Sequence, residues 1–249
     1  IERNNLSERS QRAELDSEAE KLRSSLLSAV SHDLRTPLAA IAGAASSLDA
    51  NIQRDAIDEA NHALLETIVD ESQRLTRMVE NLLHMTRLSS GKVQINRQWQ
   101  PVEEVIGSAL HRLEHVLAGR EVKVKIEGDL PLVHGDDILL ETVLVNLIDN
   151  ALKYSPSHKP IEIQSEISGG VCTFQVADYG CGILPGDEEK IFEKFNRGSG
   201  KNTDRRGTGL GLAICDAIVR AHNGSITANN REGGGTIIRF TIPPESAPP

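Results

Sequence analysis

Leu64, Ile68, Leu75, Met78, Leu82 and Met85 recur at steps of three, four and seven residues, with charged side chains between them. A chain with that period must lay one face of a long helix against something apolar. An upstream stretch has the same character: Leu15, Ala19, Leu22, Leu26 and Ala29 step by four and three, and no Pro or Gly occurs before Pro37 and Gly43. The spacing predicts two long amphipathic helices, one over residues 1 to about 48 and one from Ile57 to about Leu88. A polar break lies between them near 49–55, and Ser89-Ser90-Gly91 supplies the stop. One hairpin covers two apolar stripes poorly, whereas two hairpins make a four-helix bundle, so a homodimer is the economical expectation. The alternative is a monomeric hairpin docked on the rest of the chain.

Beyond about Val93 the pattern changes. Short β-like runs, 122-VKVKIEG, 161-IEIQSEIS, 171-VCTFQVAD and 235-GTIIRFTIP, alternate with helical patterns at 102–118, 136–154 and 209–222. Strands mixed with helices predict a second domain, an α/β sandwich with helices on one face of a sheet. The Pro-rich end, PPESAPP, is read as a disordered tail. Four segments follow: an N-terminal coiled-coil-like helix over 1–23, a helical-hairpin domain over 24–91, the sandwich over 98–244, and a tail over 245–249.

Composition narrows the function classes. Hydrophobic residues make up 39% of the 249, but only seven are aromatic, so the core must be largely Leu, Ile, Val and Ala. A formal charge of −9 without a Lys/Arg run argues against coating a nucleic acid. Cys172, Cys181 and Cys215 are an odd, unclustered set without metal-ligand spacing, read as reduced thiols. No stretch reaches the roughly 20 apolar residues of a membrane helix. A first residue of Ile rather than Met suggests a piece of a longer chain, with any anchor lying upstream.

Four short stretches carry chemistry. In 146-NLIDNALKYS, Asn146 and Asn150 share a helix face, with Lys153 close by. An amide oxygen is a hard neutral ligand for Mg²⁺, and an ammonium suits a phosphate. In 178-DYGCG, Gly180 and Gly182 allow backbone to approach a flat ligand, and Asp178 can accept from an exocyclic amine. In 192-FEKF two aromatics stand three apart beside the hydrophilic loop 196-NRGSGKNTDRR, long enough for a lid. In 207-GTGLGLAIC glycines run into an apolar helix, whose bare N–H groups and dipole favour an anion. That last stretch lacks the Gly-Lys-Ser/Thr ending of a P-loop and the strand spacing of a dinucleotide site. Singly, each stretch is also compatible with an ordinary turn, packed rings or solvated side chains.

Together and in this order, the four stretches closely resemble the N, G1, F and G2 boxes of the sensor histidine kinases of two-component signalling. The boxes match at Asn146–Ser155, Asp178–Gly182, Phe192–Phe195 and Gly207–Leu212. The resemblance runs from about Ser24 to Pro243. It implies a Bergerat-type α/β sandwich, in which Asp178 recognises adenine and Asn150 ligates Mg²⁺. Asn146 and Lys153 would line the phosphates of ATP, and Tyr154 would pack near the base. Gly180, Gly182, Ile183, Phe195, Arg197, Gly207, Thr208, Gly209, Leu210, Gly211 and Leu212 would complete the nucleotide site. ATP-hydrolysing relatives place a glutamate four residues before the metal-binding Asn. That position here is Asn146, and an amide cannot take a proton from water at neutral pH.

The remaining feature, 31-SHDLRTPL, lies where the first helical stripe continues. The seam passes through residue 33, which sets His32 at its rim. An imidazole has an ordinary pKa of about 6.5, so about three-quarters of it is neutral and nucleophilic at pH 7. Asp33 can fix its tautomer and take its proton as general base. Pro37 collides with the carbonyl of residue 33 and is expected to bend the helix beside His32. Within the resemblance, 32-HDLRT implies that His32 is the phosphoacceptor and that Thr36 positions a water for phosphatase action on the partner. That partner would be the receiver aspartate of a response regulator, and the chain the cytoplasmic part of a membrane-anchored bacterial sensor. The segments 98-QWQPVEEVIGSAL and GLGLAICDAIVRAHNGSITA most resemble the potassium-responsive Kdp-type kinases. Two other classes compete: an ATP-gated dimerisation or scaffold module without transfer chemistry, and a serine/threonine kinase on the same fold.

Overall fold

In the computed structural model, residues 34, 37–48, 59–89, 95–117, 119–128, 131–194, 196 and 209–244 are described. The chain divides into two units, Ile1–Glu80 and Asn81–Pro249. Helix α1 covers 37–48 in the first, and α2 runs Glu59–Ser89, its last nine residues counted with the second. Most of the first predicted helix, its stripe from Leu15 to Ala29 and the turn near 49–55 lie outside the described residues. So do residues 35–36, beside which the predicted bend at Pro37 falls, and the tail 245–249. The second predicted helix is found over almost its expected length. Its stripe positions Leu64, Ile68, Leu75 and Met78 are half-buried. Neighbouring Leu65, Val69 and Val79 stand exposed. The side chains of Leu82 and Met85 lie outside the description.

The second unit is a two-layer sandwich. Its elements, in order, are β1 (Gln98–Pro101), α3 (Val102–Arg112), α4 (Glu114–Leu117), β2 (Val122–Ile126), β3 (Leu132–Gly135) and α5 (Asp137–Tyr154). Strands β4 (Ile161–Ser168) and β5 (Val171–Ala177) follow, then a 3₁₀ turn at Lys190–Phe192, α6 (Gly211–Ala221), β6 (Ser225–Asn230) and β7 (Thr236–Ile242). The main sheet has the order β2-β4-β5-β7-β6, while β1 and β3 pair separately and antiparallel. Only β2 and β4 are parallel in the main sheet, and the long crossover between them contains α5.

Alternation explains which sheet face is covered. Ile161, Ile163 and Ser165 of β4, Cys172, Phe174 and Val176 of β5, and Ile238, Phe240 and Ile242 of β7 are buried. All but the polar Ser165 join one apolar cluster with Val105 and Ile106 of α3, Leu140, Leu144 and Ile148 of α5, and Ile214 and Ile218 of α6. Residues between them, such as Gln164, Glu166 and Arg239, face solvent. Phe174 and Phe240 are paired across β5 and β7, with rings stacked at 4.8 Å and 10° apart. Helix α5 has buried positions around most of its circumference, because α3, α6 and the sheet all pack on it. Asp136 caps its start, accepting from the Leu139 N–H at 3.1 Å.

Three differences from the sequence reading have physical causes. The helical pattern over 102–118 is two helices, broken at Leu113, whose φ of −100° and ψ of 6° leave the α region while its side chain stays fully buried. Strands β1, β3 and β6 were not expected; QWQP, LVHG and SITANN are short or polar and take their form from the strands they pair with. His222, given no role from sequence, is 1% exposed and links two helices. Its Nε2 accepts from the Asp136 N–H at 3.0 Å and its Nδ1 donates to the Ile218 carbonyl at 2.9 Å. Burial holds its pKa below the ordinary imidazole value. All three cysteines are free thiols, and burial pushes Cys172 up to about 12 and Cys215 higher still. Among the described residues, no helix is long and apolar enough to cross a membrane.

Candidate functional site

Three of the four predicted nucleotide stretches meet at one end of the sandwich. Helix α5 brings Asn146, Asn150, Lys153 and Tyr154 along its C-terminal turns. Asn146 donates from Nδ2 to the Thr142 carbonyl one turn back, at 2.9 Å, which orients its amide. Its Oδ1 then lies against the first turn of α6. A Cβ on Gly211 would stand 3.0 Å from that oxygen, so only glycine lets the two helices approach without moving the amide. Asn150, half-buried one turn further on, makes no hydrogen bond among the described residues. Its amide oxygen is therefore available to a cation or a phosphate-bound water.

Lys153 is paired with the carboxylate of Asp149, one turn back on the same helix. The ammonium is thus tethered at the helix end, with 39% of its side chain exposed. An i, i+4 pair of this kind is weak, so a phosphate can compete for the cation. The tether was legible as Asp149 four before Lys153, but it was not expected.

The end of α5 also touches the segment that carries Asp178. A Cβ on Gly180 would fall 2.7 Å from the Tyr154 carbonyl oxygen and 2.9 Å from Asp178 Oδ1. The Tyr179 N–H donates to Ser155 Oγ at 3.3 Å. Tyr154 itself is part-exposed at this junction. Asp178 is 8% exposed. Its Oδ1 accepts from the Gly180 N–H at 2.6 Å and the Thr236 N–H at 3.2 Å, and Oδ2 receives no hydrogen bond from the described residues. Burial raises its pKa above the ordinary carboxylate value, opposed by those N–H groups and by Arg231 and Arg120. A buried, oriented carboxylate with one free oxygen is an acceptor awaiting a donor.

Gly182 follows at φ +74°, and Ile183 packs its side chain against the core. On the opposite wall Gly209 has φ +66°, Leu210 is buried, and Gly211 and Leu212 open α6. No side chain caps this helix, so its first N–H groups present the positive end of the dipole to the site. Phe192 is half-buried against the core in the 3₁₀ turn. Phe195, Arg197, Gly207 and Thr208, with nearly all of the expected lid, lie outside the described residues. The same holds for His32, Asp33 and Thr36.

The site fits a Mg-nucleotide by the chemistry of its donors: a neutral amide oxygen, an uncapped helix N-terminus, a tethered ammonium and a buried acceptor. Among the described residues no cluster of three or more His, Cys, Asp or Glu could hold a metal by itself. Sequence reasoning missed Ser155, Thr236, Asn230 and Arg231, which brace the Asp178 segment. The one available signal was the run Gly233-Gly234-Gly235, which marks a close approach of backbones. A Cβ on Gly235 would lie 2.1 Å from the Asp178 carbonyl oxygen.

Residues 22–91 match the His Kinase A (phospho-acceptor) domain, and residues 135–246 match the histidine kinase-, DNA gyrase B-, and HSP90-like ATPase family. The sensor protein KdpD of Escherichia coli (strain K12) is 41% identical over 248 residues, which cover 100% of this chain and 27% of that protein. The Acinetobacter baumannii histidine kinase AdeS has a similar structure, with a TM-score of 0.64 at 25% identity, covering 86% of this chain and 98% of that one. Full-length ShkA in complex with AMPPNP gives a TM-score of 0.60 at 25% identity, over 76% of this chain and 40% of that one. The chain spans about a quarter of the length of the KdpD proteins it matches.

Proposed function

With a phosphoacceptor domain followed by an ATPase domain, the chain belongs to the sensor histidine kinases of two-component signalling, and we propose that it transfers the γ-phosphoryl group of Mg-ATP to His32 and onward to a response regulator. The observation that carries this reading is the convergence of Asp178, Asn146, Asn150 and the N-terminus of α6 at one end of the sandwich. Asp178 Oδ2 would accept from the adenine amine, and Gly180, Gly182, Ile183 and Tyr154 would border the ring. Gly209, Leu210, Gly211 and Leu212 would offer backbone to the phosphates, with Asn146 and Lys153 beside them, and Asn150 would ligate Mg²⁺. The metal would neutralise charge on the phosphates; positioning falls to the side chains. Phe195, Gly207 and Thr208 are assigned to the same site from the box match alone, and Arg197 from the wider family resemblance.

In the transfer, a neutral ring nitrogen of His32 attacks the γ-phosphorus. The N–P bond forms as the bond to the β,γ-bridging oxygen breaks, and ADP leaves with that electron pair. Asp33 hydrogen-bonds the other ring nitrogen and takes up its proton. Asn146 at the position of the ATPase glutamate disfavours water as the acceptor. The sequence 32-HDLRT further supports phosphatase action on the regulator, with Thr36 orienting the water.

The exposed Leu65, Val69 and Val79 on α2 support burial of a second apolar face against another copy, hence a homodimeric four-helix bundle. We divide the chain into a dimerisation and phosphotransfer domain over 24–91 and a catalytic domain over 98–244, with 1–23 as a coiled-coil-like entry helix and 245–249 as a tail. The identity to KdpD favours a Kdp-type, potassium-responsive sensor and its cognate regulator, with this chain on the cytoplasmic side of a membrane-anchored protein. Labelling with γ-phosphate-labelled Mg-ATP tests the reaction class. Label that is lost in acid and survives alkali is a phosphoramidate. Acid-stable label identifies a hydroxyl acceptor, and no uptake identifies a scaffold; either overturns the reading.

A further inference from the structure

The segment from Asp178 to Gly186 has no regular secondary structure, and glycines stand at 180, 182 and 186. Such a segment has many accessible conformations. Yet a hydrogen bond to a base weakens steeply once its angle falls below about 120°. Something outside the segment must therefore fix the direction of the Asp178 carboxylate.

The turn end of the β6–β7 hairpin does so at three points. Asn230 acts like a strand partner: its Oδ1 accepts from the Ile183 N–H at 2.6 Å and its Nδ2 donates to the Ile183 carbonyl at 2.9 Å. Gly182, at φ +74°, is confined by that same amide, since a Cβ there would lie 2.6 Å from Asn230 Oδ1. Arg231 donates from its NH2 nitrogen to the Tyr179 hydroxyl at 2.7 Å, and its guanidinium carbon lies 3.8 Å from the centre of the Tyr179 ring. The Tyr179 hydroxyl donates in turn to Glu162 Oε1 at 2.7 Å, and Arg231 bridges to Glu162 Oε2 at 3.2 Å. Burial pushes the Glu162 carboxyl up, but the Tyr179 hydroxyl and Arg231 outweigh it and hold the group below its ordinary range. The third point is backbone: the Asp178 N–H donates to the Thr236 carbonyl at 2.9 Å, beside Gly235.

We propose that Asn230, Arg231 and Tyr179 are positioning residues for base selection, gripping the Ile183 and Tyr179 ends of the segment so that Asp178 meets the exocyclic amine of adenine. The proposal rests on Asp178 as the adenine acceptor. A grip that served folding alone would set melting temperature. One that aims the carboxylate also sets the preference for adenine over guanine, whose carbonyl at that position offers no donor.

The test is the initial rate of autophosphorylation of the chain at varied ATP and varied GTP, in Asn230→Ala, Tyr179→Phe and Asp178→Asn variants, with melting curves alongside. Asn230→Ala loses two hydrogen bonds to Ile183, so its KM for ATP rises by about 5- to 30-fold and its ATP-over-GTP preference falls by a similar factor, with the loss carried by KM rather than kcat. Tyr179→Phe keeps the ring under Arg231 and loses only the hydroxyl, giving about two- to fivefold in the same direction. If Asn230→Ala does not fold, Tyr179→Phe decides alone. Asp178→Asn must lose the preference if Asp178 reads adenine; if it keeps the preference, that assignment is wrong. Loss of preference in Asp178→Asn, with KM and preference unchanged in the foldable positioning variants, overturns the positioning role and leaves the adenine assignment intact.

Discussion

Replacing Asp178 by Asn separates recognition from folding at a single atom. Both hydrogen bonds that seat this side chain in the segment, from the Gly180 and Thr236 N–H groups, fall on Oδ1, and an asparagine oxygen can accept both. The atom that changes is Oδ2, which becomes an NH₂ donor where the proposed adenine contact requires an acceptor. A hydrogen bond to a charged group contributes about 1.5–3 kcal/mol, so affinity for ATP should fall about 10- to 150-fold. Stability should move the other way. Burial raises the pKa of Asp178, so its surroundings disfavour the ionised form and its charge carries a cost at neutral pH. The variant should melt at the wild-type temperature or slightly above it. The pH dependence follows from the same shift: ATP binding to the wild type weakens as pH falls through a carboxyl pKa lying above 3.8, and the variant lacks this limb. Calorimetric titration with ATP at neutral pH and down into the acid range, with a melting curve for each protein, reads all three effects. An affinity within twofold of wild type, or a large loss of stability, refutes the assignment of Oδ2 to the base.

Asn150→Ala should weaken ATP binding in Mg²⁺ while leaving the residual binding in EDTA unchanged; unaltered Mg²⁺ dependence in a titration removes Asn150 from the metal. Gly235→Ala sets a Cβ 2.1 Å from the Asp178 carbonyl at a φ of +110° and should destabilise the sandwich by about 2–4 kcal/mol. Gly107→Ala in α3 meets nothing within 4 Å and should instead stabilise by about 0.5–1 kcal/mol; denaturant midpoints distinguish the two signs. His222 has a folded pKa below its ordinary 6.5, so the unfolded chain binds more protons between those values, and stability is full above 6.5 and declines as pH falls toward the folded pKa. Urea midpoints across the mildly acidic range should show this decline and His222→Gln should flatten it; equal slopes in the two proteins would remove His222 as its source.

The long helix α2 was legible because its apolar stripe persists over most of 31 residues and nothing in it breaks a helix. Strands β4, β5 and β7 were legible for a related reason, since alternation across a half-covered sheet writes itself as period two. Strand β6 carries only Ile226 and Ala228 as apolar residues and exists because β7 pairs with it, a non-local fact. The break at Leu113 left no trace, because a fully buried leucine suits either helix. In the site, Asn146, Asn150 and Asp178 stood out as polar residues in apolar settings. The bracing by Asn230, Arg231 and Tyr179 did not, because it depends on two turns that are some fifty residues apart in sequence and are brought together by the sheet.

Tandem mass spectrometry of the chain after incubation with Mg-ATP, kept at alkaline pH so that phosphoramidates survive, tests phosphoryl transfer to His32 most directly. Phosphate on the His32 peptide, absent in His32→Gln although that variant still binds nucleotide, is the expected result. Phosphate on any other side chain, or undiminished label in His32→Gln, contradicts it.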